Sequence, residues 1–255
     1  MAATILTPGQ RQILAFLAKD KVFSKHFYLS GGTALSEYYL HHRVSEDLDF
    51  FSEDEIDKIW LNSLAKKIKQ KIGFKKLDIE ESFNRNLVYF LSANTPPLEA
   101  GMKWKKSSFP PQGGIPRSSL RGGAHFTTPA TTVKTEFTYY PFVQIEPLVI
   151  KDGIRVDSLT DIAVNKFFTI YQKPTARHFI DLYLILSKKK YTWDQLEKFA
   201  RIKFETEIDP IQLGSQLIKS ETVKDMPNMI SKLSEIQWRS YFIQKAKNLK
   251  GRIAK

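Results

Sequence analysis

The segment Ser45-Glu46-Asp47-Leu48-Asp49-Phe50-Phe51 constrains the fold of this chain more than any other. In an extended strand successive side chains alternate, so Asp47 and Asp49 share one face while Leu48 and Phe50 share the other. Such a strand belongs in a sheet with one face under a core and the other open to solvent or ligand. About one helix earlier, His26-Phe27-Tyr28-Leu29 runs into Ser30-Gly31-Gly32-Thr33 and then the apolar-periodic stretch to Leu40. That order predicts a strand, a glycine turn, a helix and then the acid-bearing strand.

The flanking periodicities extend this pattern. Thr7-Pro8 opens a helix that the spacing carries to about Lys21, Asp54 to Gln70 reads as a lysine-rich amphipathic helix, and residues 74–80 and 87–93 read as strands. The predicted order is α-β-α-β-α-β-β. Residues 95–132 break it, holding six of the twelve prolines and five of the twelve glycines without apolar periodicity. They read as a flexible insertion between two strands. Its basic residues and Trp104 either touch nucleic acid or belong to disordered filler, and composition favours filler. Residues 132–140 resume as a strand with Lys134, Glu136 and Thr138 on one face. Short strands follow at 148–150 and 154–156. From Ser158, an N-cap type, helical spacing covers 159–172, 175–187, 192–203, 210–219 and 229–248. The expected fold class is α+β: a mixed sheet with flanking helices in residues 1–157, then an all-α domain in residues 158–255.

Cysteine is absent, which excludes disulfides, zinc–thiolate sites and thiol nucleophiles. No apolar run of ~18 residues is present to span a bilayer, and the first residues lack a secretory pattern. A cytoplasmic protein without a membrane partner is expected. The net charge of +12 lies almost wholly beyond residue 94. It fits a polyanionic partner such as nucleic acid, and equally a basic solvated face.

Two carboxylates as close as Asp47 and Asp49 repel unless a cation lies between them, and an oxygen-only set suits Mg²⁺ held jointly with substrate phosphates. Glu136, on a neighbouring strand, is the candidate third ligand of a two-metal site. Gly31-Gly32 lets backbone approach a phosphate at a turn into a helix. Alone, the acid pair reads as solvated surface and the glycines as a tight turn. Together they supply metal ligands and a triphosphate seat from adjacent elements. His41 and His42 are adjacent, share no helix face, and make a poor metal pair.

The string GGTALSEYYLHHRVSEDLDFF is similar to the first motif of the AbiEii/AbiGii toxin family of nucleotidyltransferases, within the DNA polymerase β-like superfamily. DIAVNKFFTIYQKPTARHFIDLYLIL resembles that family's later motifs, which carry a lysine, an arginine and an aspartate, here Lys166, Arg177 and Asp181. Where the family's arginine is generally followed by an acid, this chain has His178. The resemblance implies a polymerase β-like sheet and transfer of a nucleoside monophosphate from an NTP to RNA, typically the 3′ end of tRNA. It also implies a toxin with an antitoxin encoded nearby. In such an enzyme Asp47, Asp49 and Glu136 hold two Mg²⁺, and Gly31, Gly32 and the Ser30 or Thr33 hydroxyl hold the β- and γ-phosphates. Lys166 reaches the triphosphate and Arg177 grips a phosphate. Asp181 either serves the acceptor hydroxyl, as positioner or base, or pairs with Arg177 at i and i+4. Two other readings stand beside this one: an inactive nucleotide- or RNA-binding protein of the same fold, and a transferase acting on a small molecule or a protein hydroxyl.

Overall fold

The computed structural model describes residues 4–82, 84–92, 132–188, 191–249 and 251. The expected insertion at 95–132 lies outside the described residues, except for Thr132. Helix α1 (Pro8–Leu17) starts at a reciprocal cap between Thr7 and Gln10 with proline at its first position. It stops short of the predicted Lys21, because the Asp20 carboxylate accepts the Phe23 N–H and starts a separate helix α2 (Lys21–His26). Strand β1 (Tyr28–Ser30) then leads into α3 (Gly31–Leu35), which widens into a π-helical turn (Ser36–Leu40).

Strand β2 (Asp47–Ser52) carries the acids. Helix α4 (Lys58–Ile72) runs from the Asp57 cap to Gly73, whose φ of 88° ends it in the left-handed region. Strands β3 (Lys76–Ser82), β4 (Arg85–Leu91), β5 (Val133–Tyr139), β6 (Val149–Lys151) and β7 (Ile154–Val156) complete the sheet. Helices α5 (Leu159–Gln172), α6 (Ala176–Lys188), α7 (Trp193–Phe204), α8 (Pro210–Ile218) and α9 (Glu235–Asn248) follow. The helix expected over 229–248 begins only at Glu235. Ahead of it an extended segment bridges back, with Met229 opposite Arg43 and the Val44 N–H donating to the Asn228 carbonyl at 2.9 Å.

The seven strands form one mixed sheet in the order β3-β4-β5-β2-β1-β7-β6. Strand β2 is flanked by β5 in parallel and by β1 in antiparallel pairing. Its side chains alternate as the sequence predicts: Leu48 and Phe50 are fully buried, while Asp47 and Asp49 are half-buried on the other face. On the apolar face Phe50 meets Phe23 edge-on with ring centres 5.0 Å apart, and Phe27 stacks on Trp60 at 5.1 Å. Helices α2 and α4 therefore close one face of the sheet, each buried aromatic contributing about 1.5–3 kcal/mol. The acids are left on the face towards the helical half. A continuous apolar cluster runs from Ile13 through the sheet to Leu249. Among the described residues no helix is long and apolar enough to cross a membrane.

Candidate active site

Strand register brings the acids together. Asp47 lies opposite Lys134 and Asp49 opposite Glu136 across the β2–β5 pair, so Asp47, Asp49, Lys134 and Glu136 point to one face. The Lys134 ammonium donates to Asp47 Oδ2 at 2.8 Å and lies 3.9 Å from Glu136 Oε2. Glu136 Oε1 also accepts from the Thr138 hydroxyl at 3.2 Å and lies 3.7 Å from an Arg85 nitrogen. Burial, then Glu136 and Asp47, raise the Asp49 carboxyl to about 6. Lys134 responds in the opposite sense: although burial opposes its charge, Asp47 and then Glu136 raise its pKa.

The donor chemistry of the three acids fits a hard cation, and the ammonium already seated between Asp47 and Glu136 is its stand-in. Among the described residues no three His, Cys, Asp or Glu side chains close into a ready-made metal cage.

The glycine pair is dictated by close approach. Gly31 has φ of 69°, and a Cβ there would stand 2.1 Å from Asp49 Oδ2. A Cβ on Gly32 would stand 2.5 Å from Arg43 Nη2 and 2.9 Å from Ser45 Oγ. The absent side chains thus let Asp49, Arg43 and Ser45 pack directly on this backbone. The flanking hydroxyls, both expected to grip phosphate, are engaged elsewhere. Ser30 Oγ donates to buried Asp157 Oδ2 at 2.7 Å, and the Thr33 hydroxyl donates to the Asp47 carbonyl.

Opposite the acids lies a buried cation cluster that the sequence only half revealed. Asp181, with no exposed surface, accepts from Arg43 Nε at 2.7 Å and Nη2 at 2.8 Å. Lys166 Nζ reaches it at 2.8 Å and His42 Nε2 at 2.8 Å. Burial would raise the Asp181 pKa, but Lys166 and Arg43 hold it well below the usual carboxylate range. An ionised carboxylate only accepts, so His42 Nε2 carries the proton, and burial keeps that imidazole neutral by lowering its pKa. Burial likewise lowers Lys166 against the pull of Asp181. Arg177 is not in this cluster: it lines the cavity and forms no ion pair among the described residues. His178 beside it is pushed down to about 2 by burial and then by Lys166 and Arg177, so it stays neutral.

These groups surround one cavity of about 620 Å³, within the range of small-molecule sites. Gly31, Gly32, the acids Asp47, Asp49 and Glu136, and the cations Arg43, Lys166 and Arg177 all line it. The extended segment Asp225–Asn228 closes a side that sequence reasoning had assigned no part. Its signal was Pro227-Asn228, a helix-breaking pair. Of the expected residues, Asp47, Asp49, Glu136, Gly31, Gly32, Lys166 and Arg177 line the cavity. Ser30, Thr33 and Asp181 sit behind it.

Residues 13–244 match the family profile described as nucleotidyl transferase AbiEii toxin, type IV toxin–antitoxin system. No curated protein matches the sequence. Among solved structures, a Helicobacter pylori protein described as a candidate nucleotidyltransferase is 18% identical, with TM-score 0.56 over 96% of this chain and 93% of that one. JHP933 from Helicobacter pylori is 17% identical, with TM-score 0.53 over 96% and 90% of the respective chains. At these identities the likeness is one of fold.

Proposed function

The chain belongs to the nucleotidyltransferase AbiEii toxin family of type IV toxin–antitoxin systems, and from that premise we propose that it is a Mg²⁺-dependent enzyme that joins the nucleoside monophosphate of an NTP to the 3′ end of a tRNA, releasing pyrophosphate. One observation carries the reading: a single cavity is lined both by Asp47, Asp49 and Glu136 and by Arg43, Lys166 and Arg177. A nucleoside triphosphate needs both, cation ligands at the reacting phosphorus and fixed positive charge along the leaving pyrophosphate.

Divalent cation held by the three acids would neutralise phosphate charge and acidify the attacking hydroxyl. The chain's own groups do the positioning. Gly31 and Gly32 let Asp49 and Arg43 pack close to the backbone at the edge of the cavity, where main chain can meet a phosphate. Arg177 has its guanidinium fork available for a bidentate phosphate contact. Asp181 fixes Arg43 and Lys166 from behind, so both cations are oriented before substrate arrives. The acceptor oxygen attacks the α-phosphorus, the bond to the bridging oxygen breaks, and pyrophosphate leaves along the cationic wall. The net charge of +12 favours an RNA acceptor over a small alcohol, and an antitoxin encoded nearby is the expected protein partner.

The test is transfer of label from each of four α-labelled NTPs to bulk tRNA in the presence of Mg²⁺, with competition by small alcohols. Labelled tRNA is expected with the wild-type chain, and none with Asp49→Asn. Absence of transfer from every NTP, alongside an active family member, would sink the reading.

A further inference from the structure

Two carboxylates on one strand and a third on the next would normally be paired with two divalent ions, about 3.5–4 Å apart. In this chain one of those places has a resident. Lys134 is in register beside Asp47, and its ammonium lies 2.8 Å from Asp47 Oδ2 and 3.9 Å from Glu136 Oε2. Those are the oxygens that a cation on the β5 side of Asp47 would require. On the other side of β2 the surroundings differ. Asp49 Oδ2 packs against Gly31, and the cavity that Asp47 and Asp49 line is also lined by Arg43, Lys166 and Arg177. A cation shared with a triphosphate belongs there.

Lys134 has little freedom to leave. Its strand is hydrogen-bonded on both sides, to β2 and to β4, and the register sets Tyr89 next to it on the side away from Asp47. Tyr89 is 7% exposed, so it is a fixed wall. The lysine's side chain is itself only 26% exposed. An ammonium tethered one strand away from its carboxylate also faces no loss of translational freedom, unlike an ion arriving from solution.

We propose that Lys134 is a built-in cation occupying the place of one of the two divalent ions, so that this chain takes a single divalent ion, held by Asp47 and Asp49 in the cavity that Arg43, Lys166 and Arg177 also line. The inference rests on the reading of Asp47, Asp49 and Glu136 as cation ligands. It gives Lys134 a positioning role: it neutralises Asp47 and Glu136 where the acceptor hydroxyl would enter, without a second ion being recruited.

Direct titration of the full-length protein with Mn²⁺ alone, following free Mn²⁺ by its paramagnetic resonance signal, tests this independently of turnover. The wild-type chain and Lys134→Arg should each bind about one Mn²⁺, and Lys134→Met, which keeps the length but removes the charge, about two. A simple cross-strand ion pair would leave all three proteins at the same number. Two ions on the wild-type chain, or one on Lys134→Met, overturns the proposal and leaves the acids as cation ligands. No Mn²⁺ on any variant overturns the proposal and the reading beneath it together.

Discussion

Asp181 illustrates how burial separates two roles that sequence spacing left open. Its spacing from Arg177 pointed to a surface pair, and the family resemblance to a positioner of the acceptor hydroxyl or a base. The carboxylate is instead fully buried and bound to Arg43, Lys166 and His42. A base must reach the proton it removes, and this buried group is not among the residues lining the cavity, whose Arg43 and Lys166 it binds. Its removal strands two buried cations, so Asp181→Ala should cost about 3–5 kcal/mol of unfolding free energy. Asp181→Asn, which keeps shape and one acceptor, should cost less. Urea denaturation measures both. A variant that loses transfer while keeping its unfolding midpoint would instead mark a chemical role. The hub could not be read from sequence because its contacts to His42 and Arg43 join residues 139 and 138 positions apart. Read locally, His42 was half of a poor metal pair and Arg43 a candidate phosphate contact ahead of the acid strand, and neither pointed to Asp181.

At the scale of elements, legibility followed locality. Strand β2 was readable because alternation alone fixes which face each side chain takes, and the same rule on β5 put Glu136 on the acid face. That Asp49 and Glu136 stand directly opposite is a matter of register, which alternation does not supply. Helix ends were misjudged where a second start signal lay inside a periodic run. Asp20 restarts the chain as α2, and Ser234, three residues before Gln237, marks where α9 begins. The extended segment between α8 and α9 makes a specific contribution to the site. The Asp225 carboxylate accepts the Ala176 N–H at 3.0 Å, capping the helix whose first turn brings Arg177 and His178 to the cavity. Loss of such a cap costs about 0.5–2 kcal/mol. Asp225→Ala should therefore lower the thermal midpoint and weaken binding of a non-hydrolysable NTP by up to about tenfold in calorimetry. Unchanged affinity would mean that α6 keeps its place without this contact.

The molecule as a whole holds ionisable groups displaced in opposite directions, and their balance sets how its stability responds to pH. Behind Ser30, burial raises Asp157 to about 7, with Asp161 adding to the rise against the pull of Lys203 and the Ser30 hydroxyl. Asn165 also donates to it, and Tyr28 and Tyr140 face it. Asp49 is raised to about 6. Both acids stay protonated in the folded chain at pH values where the unfolded chain has ionised them, so each makes stability fall as pH rises towards its folded pKa. His178 and His42 act oppositely. Burial holds His178 neutral when folded and lowers His42 in the same direction, so below about pH 6.5 the unfolded chain binds more protons at both and each makes stability rise with pH up to that point. Between about pH 4.5 and 6 the raised acids and His178 therefore pull the slope of stability against pH in opposite directions. Removing one member tilts the profile by about 1.4 kcal/mol per pH unit for each unbalanced proton. Asp157→Asn should become more stable relative to wild type as pH increases across that window, and His178→Gln progressively less stable. Urea unfolding at half-unit pH steps decides it: parallel profiles for wild type and Asp157→Asn would mean that Asp157 is ionised in the folded chain, held so by Lys203 and the donors around it.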